Sequence, residues 1–466
     1  MRSLVLTLLL CSSLHAQPSR TALSSEAFAI TNVTVIPMTS EQTLPNQTVL
    51  VKNGRIAAMG DKTDLPAGIN TIDGTGKFLI PGLADMHVHL YADEWIPKSK
   101  APDELGVILA NGVTTIRFMI GTPEHLQMRK NVEAGMVLGP QLWVASPQFT
   151  GKKDVNAMVV TTPVEAQEAV KKAADTGYDF IKLTLNISPP VFDAIMAEAT
   201  RQGIRVVGHV DPRVGVAKAL AAGQHIDHLD NYMESILADN APMKESLSDR
   251  GVFRLKNWDS LEHVDEAKIK KIAEATAQSR TWTCPTLTIF RKAFAEGQSL
   301  EEIRSRPDWQ LEPAKHRELY LQANERYWKN PPTDARRKRY VELRNKMLKA
   351  IADAGGKIMA GSDTPEWFFG YGYTLHRELE SLVLAGLTPY QALATATCNP
   401  AEFLHATSEW GTITVGKRAD LVLLSANPLT DIRNTTKIEG VSIGGKWLTT
   451  DAMKEMIRIG SRIGGQ

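Results

Sequence analysis

Residues 82–90 read GLADMHVHL, and the fold turns on how this stretch is interpreted. Side chains along a strand alternate between faces, so His87 and His89 point one way while Met86, Val88 and Leu90 point the other. Two imidazoles side by side can hold a metal ion; they can equally be a hydrogen-bonding pair in a core. An HxH pair alone does not separate the two, and the question passes to the rest of the chain.

Working outward, short apolar runs alternate with helical periodicity. The strand-like runs are LIPGLADMHVHL, GVTTIRFMI, QLWVASP, YDFIKLTL, IRVVGHV, QHIDHL, RTWTCPTLTIF and GKIMAGSD, with helical stretches such as PVEAQEAVKKAADTG and PPVFDAIMAEATRQG between them. Eight such units predict an α/β chain with a (β/α)8 TIM barrel over residues 80–403, whose chemistry would sit at the carboxyl ends of the strands. A helical insertion is expected at about 238–354, around the seventh strand, its Trp309, Tyr327 and Trp328 reading as a core stripe. Residues 26–79 and 404–466 are β-rich at the two chain ends, with hairpin signals at Asn53-Gly54 and Gly444-Gly445. Neither piece has a core of its own, so the two are expected to join as a small β-sandwich domain.

The chain has 466 residues, 43% hydrophobic and 23% charged, which is ordinary for a globular protein large enough for more than one core. With 53 basic and 52 acidic residues it carries no field to hold nucleic acid, so a small molecule or short peptide is the expected partner; a homo-oligomer is left open. The opening MRSLVLTLLLCSSLHAQPS has a basic start at Arg2, an apolar run too short for a membrane span and a small-residue cleavage site at Ala16. Residues 1–16 are therefore expected to be a signal peptide, directing a secreted or periplasmic protein. Leu10 before Cys11 argues against a lipid anchor. Cys284 and Cys398 then remain, expected as free thiols.

The strand ends answer the opening question. Lys182 lies in the fourth, His209 closes the fifth, His228 the sixth and Asp363 the eighth. A lysine beside Phe180, Ile181 and Leu183 is costly to bury as a cation, so something should neutralise or modify it.

These residues carry a resemblance to the amidohydrolase superfamily, within it to the imidazolonepropionase-like group that includes Xaa-Pro dipeptidases and carboxypeptidase-like enzymes. It rests on PGLADMHVH, ANGVTTIRFM, YDFIKLTL, GHV, HIDHL, AGSDT and the closing TCNPAEFLHATSEWGTITVGKRADLVLLSANPL, and covers most of the chain after the leader. The resemblance implies a binuclear metal centre: His87, His89 and Asp363 on the first metal, His209 and His228 on the second, and Lys182 carboxylated by CO2 as the bridging carbamate. His225 is set aside, because the family's ligand follows an acidic residue, as His228 follows Asp227. Two divalent ions, Zn fitting the donors best, would leave a formal excess of about +1 after carbamate, Asp363 and a bridging hydroxide, enough to stabilise an oxyanion. Asp363 would be the catalytic acid and base, moving a proton from the attacking hydroxide to the leaving nitrogen. Tyr232, His376 and Arg117 are candidate substrate contacts.

The resemblance thus implies a metal-dependent amidohydrolase cleaving a C–N amide bond of a dipeptide such as Xaa-Pro or of an N-acyl amino acid. The alternatives are a lactonase or phosphoesterase with the same centre, or a non-catalytic ligand-binding barrel. The sequence departs from many relatives where DPR follows the strand-five histidine and LDNY follows His228, which alters the pocket wall and leaves the ligands in place.

Overall fold

The computed structural model describes residues 27–90, 101–154, 157–241, 258–292, 300–305, 309, 317–318, 321–322, 333–365 and 370–460. The expected signal peptide and Tyr327 and Trp328 lie outside them; Trp309 is buried, as a core position should be. Among the described residues no helix is long and apolar enough to cross a membrane.

The chain begins with β1 (Ala27–Val35), β2 (Leu44–Lys52), β3 (Arg55–Gly60), β4 (Asn70–Asp73) and β5 (Phe78–Pro81). An α/β region follows, with strands β6 (Leu83–Val88), β7 (Val113–Phe118), β8 (Gln141–Val144), β9 (Gln148–Thr150), β10 (Ala157–Val159), β11 (Phe180–Leu183), β12 (Arg205–Gly208), β13 (His225–Asp227), β14 (Trp282–Cys284) and β15 (Lys357–Ile358). The end of the chain adds β16 (Leu421–Leu424), β17 (Ile438–Ile443) and β18 (Lys446–Thr449).

All strands from β6 to β15 pair in parallel, in sheets β6-β7-β8 and β10-β9-β11-β12-β13-β14-β15. Parallel neighbours need long crossovers, and helices supply them. Helix Pro163–Thr176 starts at a Thr162/Glu165 capping box and stops at left-handed Gly177; helix Pro189–Gln202 starts on two prolines and stops at left-handed Gly203. The two sheets are linked along both edges. Asp179 N–H donates to Val144 C=O and Ser146 N–H to Phe180 C=O, each at 2.8 Å; on the other side Met86 N–H donates to Ala360 C=O at 3.0 Å and Asp363 N–H to His87 C=O at 2.7 Å.

Three sequence expectations change. The run 79–90 is two strands: β5 leaves for the terminal sheet and β6 alone joins the parallel set. The run 280–290 keeps only three strand residues, because Pro285 has no N–H to donate and Thr286 turns left-handed at φ 44° before helix Leu287–Phe290. The expected insertion includes helices Ala267–Gln278 and Asp334–Asp353, which are the crossovers from β13 to β14 and from β14 to β15.

The chain ends do combine, in one hydrogen-bonded eight-stranded sheet, order β18-β17-β16-β5-β1-β2-β3 with β4 on β1, which folds back on itself so that Phe28 of β1 meets Trp447 of β18 with ring centroids 5.7 Å apart. β5 makes the join, running parallel to β1 and antiparallel to β16. Alternation along these strands feeds two cores. Leu79, Leu421 and Leu423 pack with Phe28, Val49 and Trp447 in the sheet's own core, while Ile80, Val422 and Leu424 join the large core of the α/β region.

The two hairpin glycine turns, more than three hundred residues apart in sequence, touch. A Cβ on Gly445 would stand 2.7 Å from Gly54 Cα and N, and Gly445 has φ +80°. Gly445→Ala should therefore cost about 1–3 kcal/mol more than Gly68→Ala, which has a similar φ and open space. Equal losses for the two variants in urea unfolding would contradict this contact.

Candidate metal centre

β6 carries Asp85 and His87 on one face, with His89 just past its end. Because Asp363 N–H bonds His87 C=O, the segment after β15 is pinned beside them. Asp363 Oδ1 lies 3.2 Å from His87 Nε2 and 3.1 Å from His89 Nε2, and the two Nε2 atoms are 3.2 Å apart. Donors bound to one ion at about 2.1 Å stand about 3.0 Å apart at right angles and about 3.4 Å apart in a tetrahedron. The triangle thus has the size of a coordination sphere, and its neutral nitrogen and carboxylate oxygen donors suit a divalent cation.

The other expected ligands converge on it. His228 packs on His87 with ring centroids 4.7 Å apart, and its Nδ1 lies 3.6 Å from Asp363 Oδ2 and 2.8 Å from Thr286 Oγ1. His209 stacks on His228 at 4.7 Å, and its Nδ1 meets the Asp230 carboxylate at 2.6 Å. Lys182 is buried with Nζ 3.3 Å from Asp227 Oδ2. Gly208 makes room for it: a Cβ there would stand 2.9 Å from Lys182 Cδ and 2.3 Å from Leu183 O. The second half of the centre is less complete, since His209 and His228 supply two donors and a lysine ammonium supplies none.

Electrostatics favours a cation. Burial pushes His87 and His228 well below the usual imidazole range, leaving neutral rings with lone pairs to give. It pushes the Asp363 carboxyl up to about 7 although Lys182 and His209 pull the other way, and raises Asp85 to about 7 against the N–H groups of Ser362 and His87. Buried carboxylates raised this far mark a deficit of positive charge, which a divalent ion fills. Below them Asp227 behaves oppositely: burial opposes its ionisation, yet Arg117, His87 and Lys182 hold it well below the carboxylate range. The solvent side is at His89 and His209, whose side chains are 21% and 29% exposed while His87 and Lys182 are closed off.

The backbone is bent to deliver these groups. His228, Leu229, Asn231, Thr286 and Asp363 all have φ between 44° and 62°, a region that costs a non-glycine residue energy and is concentrated at functional sites. The left-handed His228 is why Asp227 and His228, neighbours in sequence, both reach the centre.

The three substrate-contact expectations are corrected. Tyr232 is completely buried and its hydroxyl bonds Thr276 Oγ1 at 3.1 Å, so it packs against helix Ala267–Gln278. His376 spends both ring nitrogens on Thr435 Oγ1 and Asn111 O, each at 3.0 Å. Arg117 is fully buried and donates to Asp227 Oδ1 at 2.9 Å and to Met86 O, with its guanidinium beside the Phe180 and Phe403 rings. It belongs to the floor. His225, set aside as a ligand, is buried and accepts Trp282 N–H. Cys284 and Cys398 are free. Cys284 forms a second grouping with His87 and Asp227, but Arg117 and Lys182 already sit on that carboxylate and leave no charge for another cation.

Sequence reading passed over Asp85, Asp227, Asp230 and Thr286. Alternation back from His87 marks Asp85, which ties the first strand to the last by accepting Ser362 N–H at 2.9 Å. Asp230 and Thr286 carry no such signal, because left-handed turns break the period.

Arg117→Met should cost about 3–5 kcal/mol in unfolding free energy, the price of stranding a buried carboxylate. Unchanged stability with a raised KM would restore a substrate role. His376 makes a pH prediction: burial holds it at about 4 in the fold against 6.5 unfolded. The unfolded chain takes up the extra proton between these values, so stability from this residue is present above pH 6.5 and lost as pH falls toward 4. In His376→Gln the fall in stability over this range should be shallower, with KM unchanged; an unaltered slope contradicts the assignment.

A profile of the amidohydrolase family matches residues 78–448. An imidazolonepropionase of Cupriavidus pinatubonensis is 26% identical over 246 residues, covering 40% of this chain and 57% of the relative. An enamidase of Eubacterium barkeri is 37% identical over 94 residues, covering 20% and 24%. The chain thus spans less than two thirds of the length of these curated relatives. Among solved structures, a bottromycin amidohydrolase aligns with TM-score 0.74 and 23% identity over 95% of this chain and 91% of that one. A Xaa-Pro dipeptidase with methionine bound in its active site aligns with TM-score 0.64 and 19% identity over 91% and 100%. At these identities the likeness is one of fold.

Proposed function

The chain belongs to the amidohydrolase family, and from that premise we propose that it is a hydrolase of C–N amide bonds, dependent on two divalent metal ions. Its substrate class is a dipeptide such as Xaa-Pro or an N-acyl amino acid. The eight strands β6, β7, β8, β11, β12, β13, β14 and β15 are read as one (β/α)8 barrel, on the strength of the backbone bonds along both sheet edges. The terminal sheet, residues 26–79 with 404–466, is read as its companion domain. The leader-like residues 1–16 support action outside the cytoplasm.

The observation that carries this reading is the triangle of His87 Nε2, His89 Nε2 and Asp363 Oδ1, open to solvent on the His89 side. Metal ions bound here would polarise the scissile carbonyl and lower the pKa of water, zinc suiting the nitrogen and oxygen donors. His87 and His89 give lone pairs; His209 and His228 give a second pair. Lys182, carboxylated by CO2, would bring the missing negative donor, and its burial among these groups supports that role: its charge acts on His87, His228 and Asp363 alike. Asp363 faces both halves, Oδ1 toward His87 and His89 and Oδ2 toward His228, so it is placed to accept a proton from the attacking water and pass it to the leaving nitrogen. Arg117 with Phe180 and Phe403 closes the floor against water.

Purified protein should hold two metal equivalents per chain and hydrolyse members of a dipeptide and N-acyl amino acid panel. Lys182→Ala should lose metal and about 10²-fold or more of the activity. A wild type that binds no metal contradicts the proposal, and turnover of esters alone contradicts the assigned bond.

A further inference from the structure

The structure assigns to Asp230 the positioning of His209, and through it the retention of the second metal ion; this rests on the metal-centre reading above. His209 Nδ1 lies 2.6 Å from Asp230 Oδ2, so in the neutral ring Nδ1–H donates to the carboxylate and the lone pair is left on Nε2, free to bind a cation. A carboxylate behind an imidazole fixes ring orientation and tautomer and raises its basicity.

Asp230 reaches His209 because the chain after β13 is wound left-handed at His228, Leu229 and Asn231, with φ of 61°, 48° and 62°. That winding also aims Asn231, whose amide donates to Val210 O, while Gln224, just before β13, donates to His209 O at 2.8 Å. Residues 209–210 are thus held at two backbone carbonyls and at the ring by side chains of one neighbouring segment.

The other imidazole of the pair is backed differently. His228 Nδ1 meets the neutral hydroxyl of Thr286 at 2.8 Å. Since a charged acceptor strengthens the donor more than a neutral one does, His209 is the stronger anchor of the second ion and Asp230 the residue that makes it so. Asp230 hydrogen-bonds His209, whereas it acts on the first ion's triangle through the field it exerts on Asp363, so the first ion is expected to lose less affinity than the second.

The test is competition for Zn²⁺ against a chromophoric chelator in the full-length protein, with wild type, Asp230→Ala, Asp230→Asn and Thr286→Val. Asp230→Ala should weaken one of two equivalents by about 10–100-fold and the other by clearly less. Asp230→Asn, which keeps an acceptor for Nδ1–H and loses the charge, should fall between; Thr286→Val should weaken that equivalent less than Asp230→Ala does. The melting temperature of the metal-free protein should be the same in wild type and Asp230→Asn, which a role in folding alone would not allow. If wild type binds two ions and Asp230→Ala binds both equally well, or both are weakened alike, the inference is overturned and the metal-centre reading survives. A wild type that takes up no zinc overturns both.

Discussion

The hydrogen bond from Asp363 N–H to His87 C=O, 2.7 Å long, joins the first parallel strand to the segment after the last, and the site depends on it. Residues 87 and 363 are distant in the chain, yet this contact and the one from Ser362 N–H to Asp85 hold their segments side by side. Loosening this seam by an ångström would take the Asp363 carboxylate out of the triangle it makes with two imidazoles. The triangle's size is thus set by backbone pairing, with little left to side-chain freedom, and that is how a chain makes a site rigid.

Burying so many ionisable groups requires a balance of charge. On the floor the balance is internal: Asp227 faces Arg117 on one oxygen and Lys182 on the other. Higher up it is not, since burial drives the Asp363 and Asp85 carboxyls up to about 7 and the His87 and His228 imidazoles down. The two regions answer different needs. Arg117 keeps the floor dry and fixed, whereas the carboxylate above it is underserved until a cation arrives. Conversion of Lys182 from cation to carbamate would leave Asp227 with Arg117 as a simple pair and move negative charge to the level of the histidines.

Much of this was legible in sequence, for identifiable reasons. Strands buried on both faces read as apolar runs, and stretches such as PVEAQEAVKKAADTG between them as helices. The six ligand candidates stand at or near the ends of such apolar runs and were picked out by the family resemblance, and the structure draws their side chains toward one place. What escaped depended on left-handed backbone: the segment after β13 and the turn at Thr286 place Asp230 and the Thr286 hydroxyl where no period of two or of 3.6 would. Tyr232, His376 and Arg117 were misjudged for another reason. Polar side chains near a strand end can face the mouth, the floor or a neighbouring helix, and only tertiary partners such as Thr276, Thr435 and Asp227 decide which.

The central claim is that side chains from five strand ends cage two cations, and anomalous X-ray scattering at the zinc edge from crystals grown with zinc and bicarbonate tests it most directly. The account predicts two peaks about 3.5–4 Å apart, one among His87, His89 and Asp363 and one beside His209 and His228, with density extending from Lys182 Nζ between them. A map without peaks there, with Lys182 still paired to Asp227 as a bare ammonium, would contradict it.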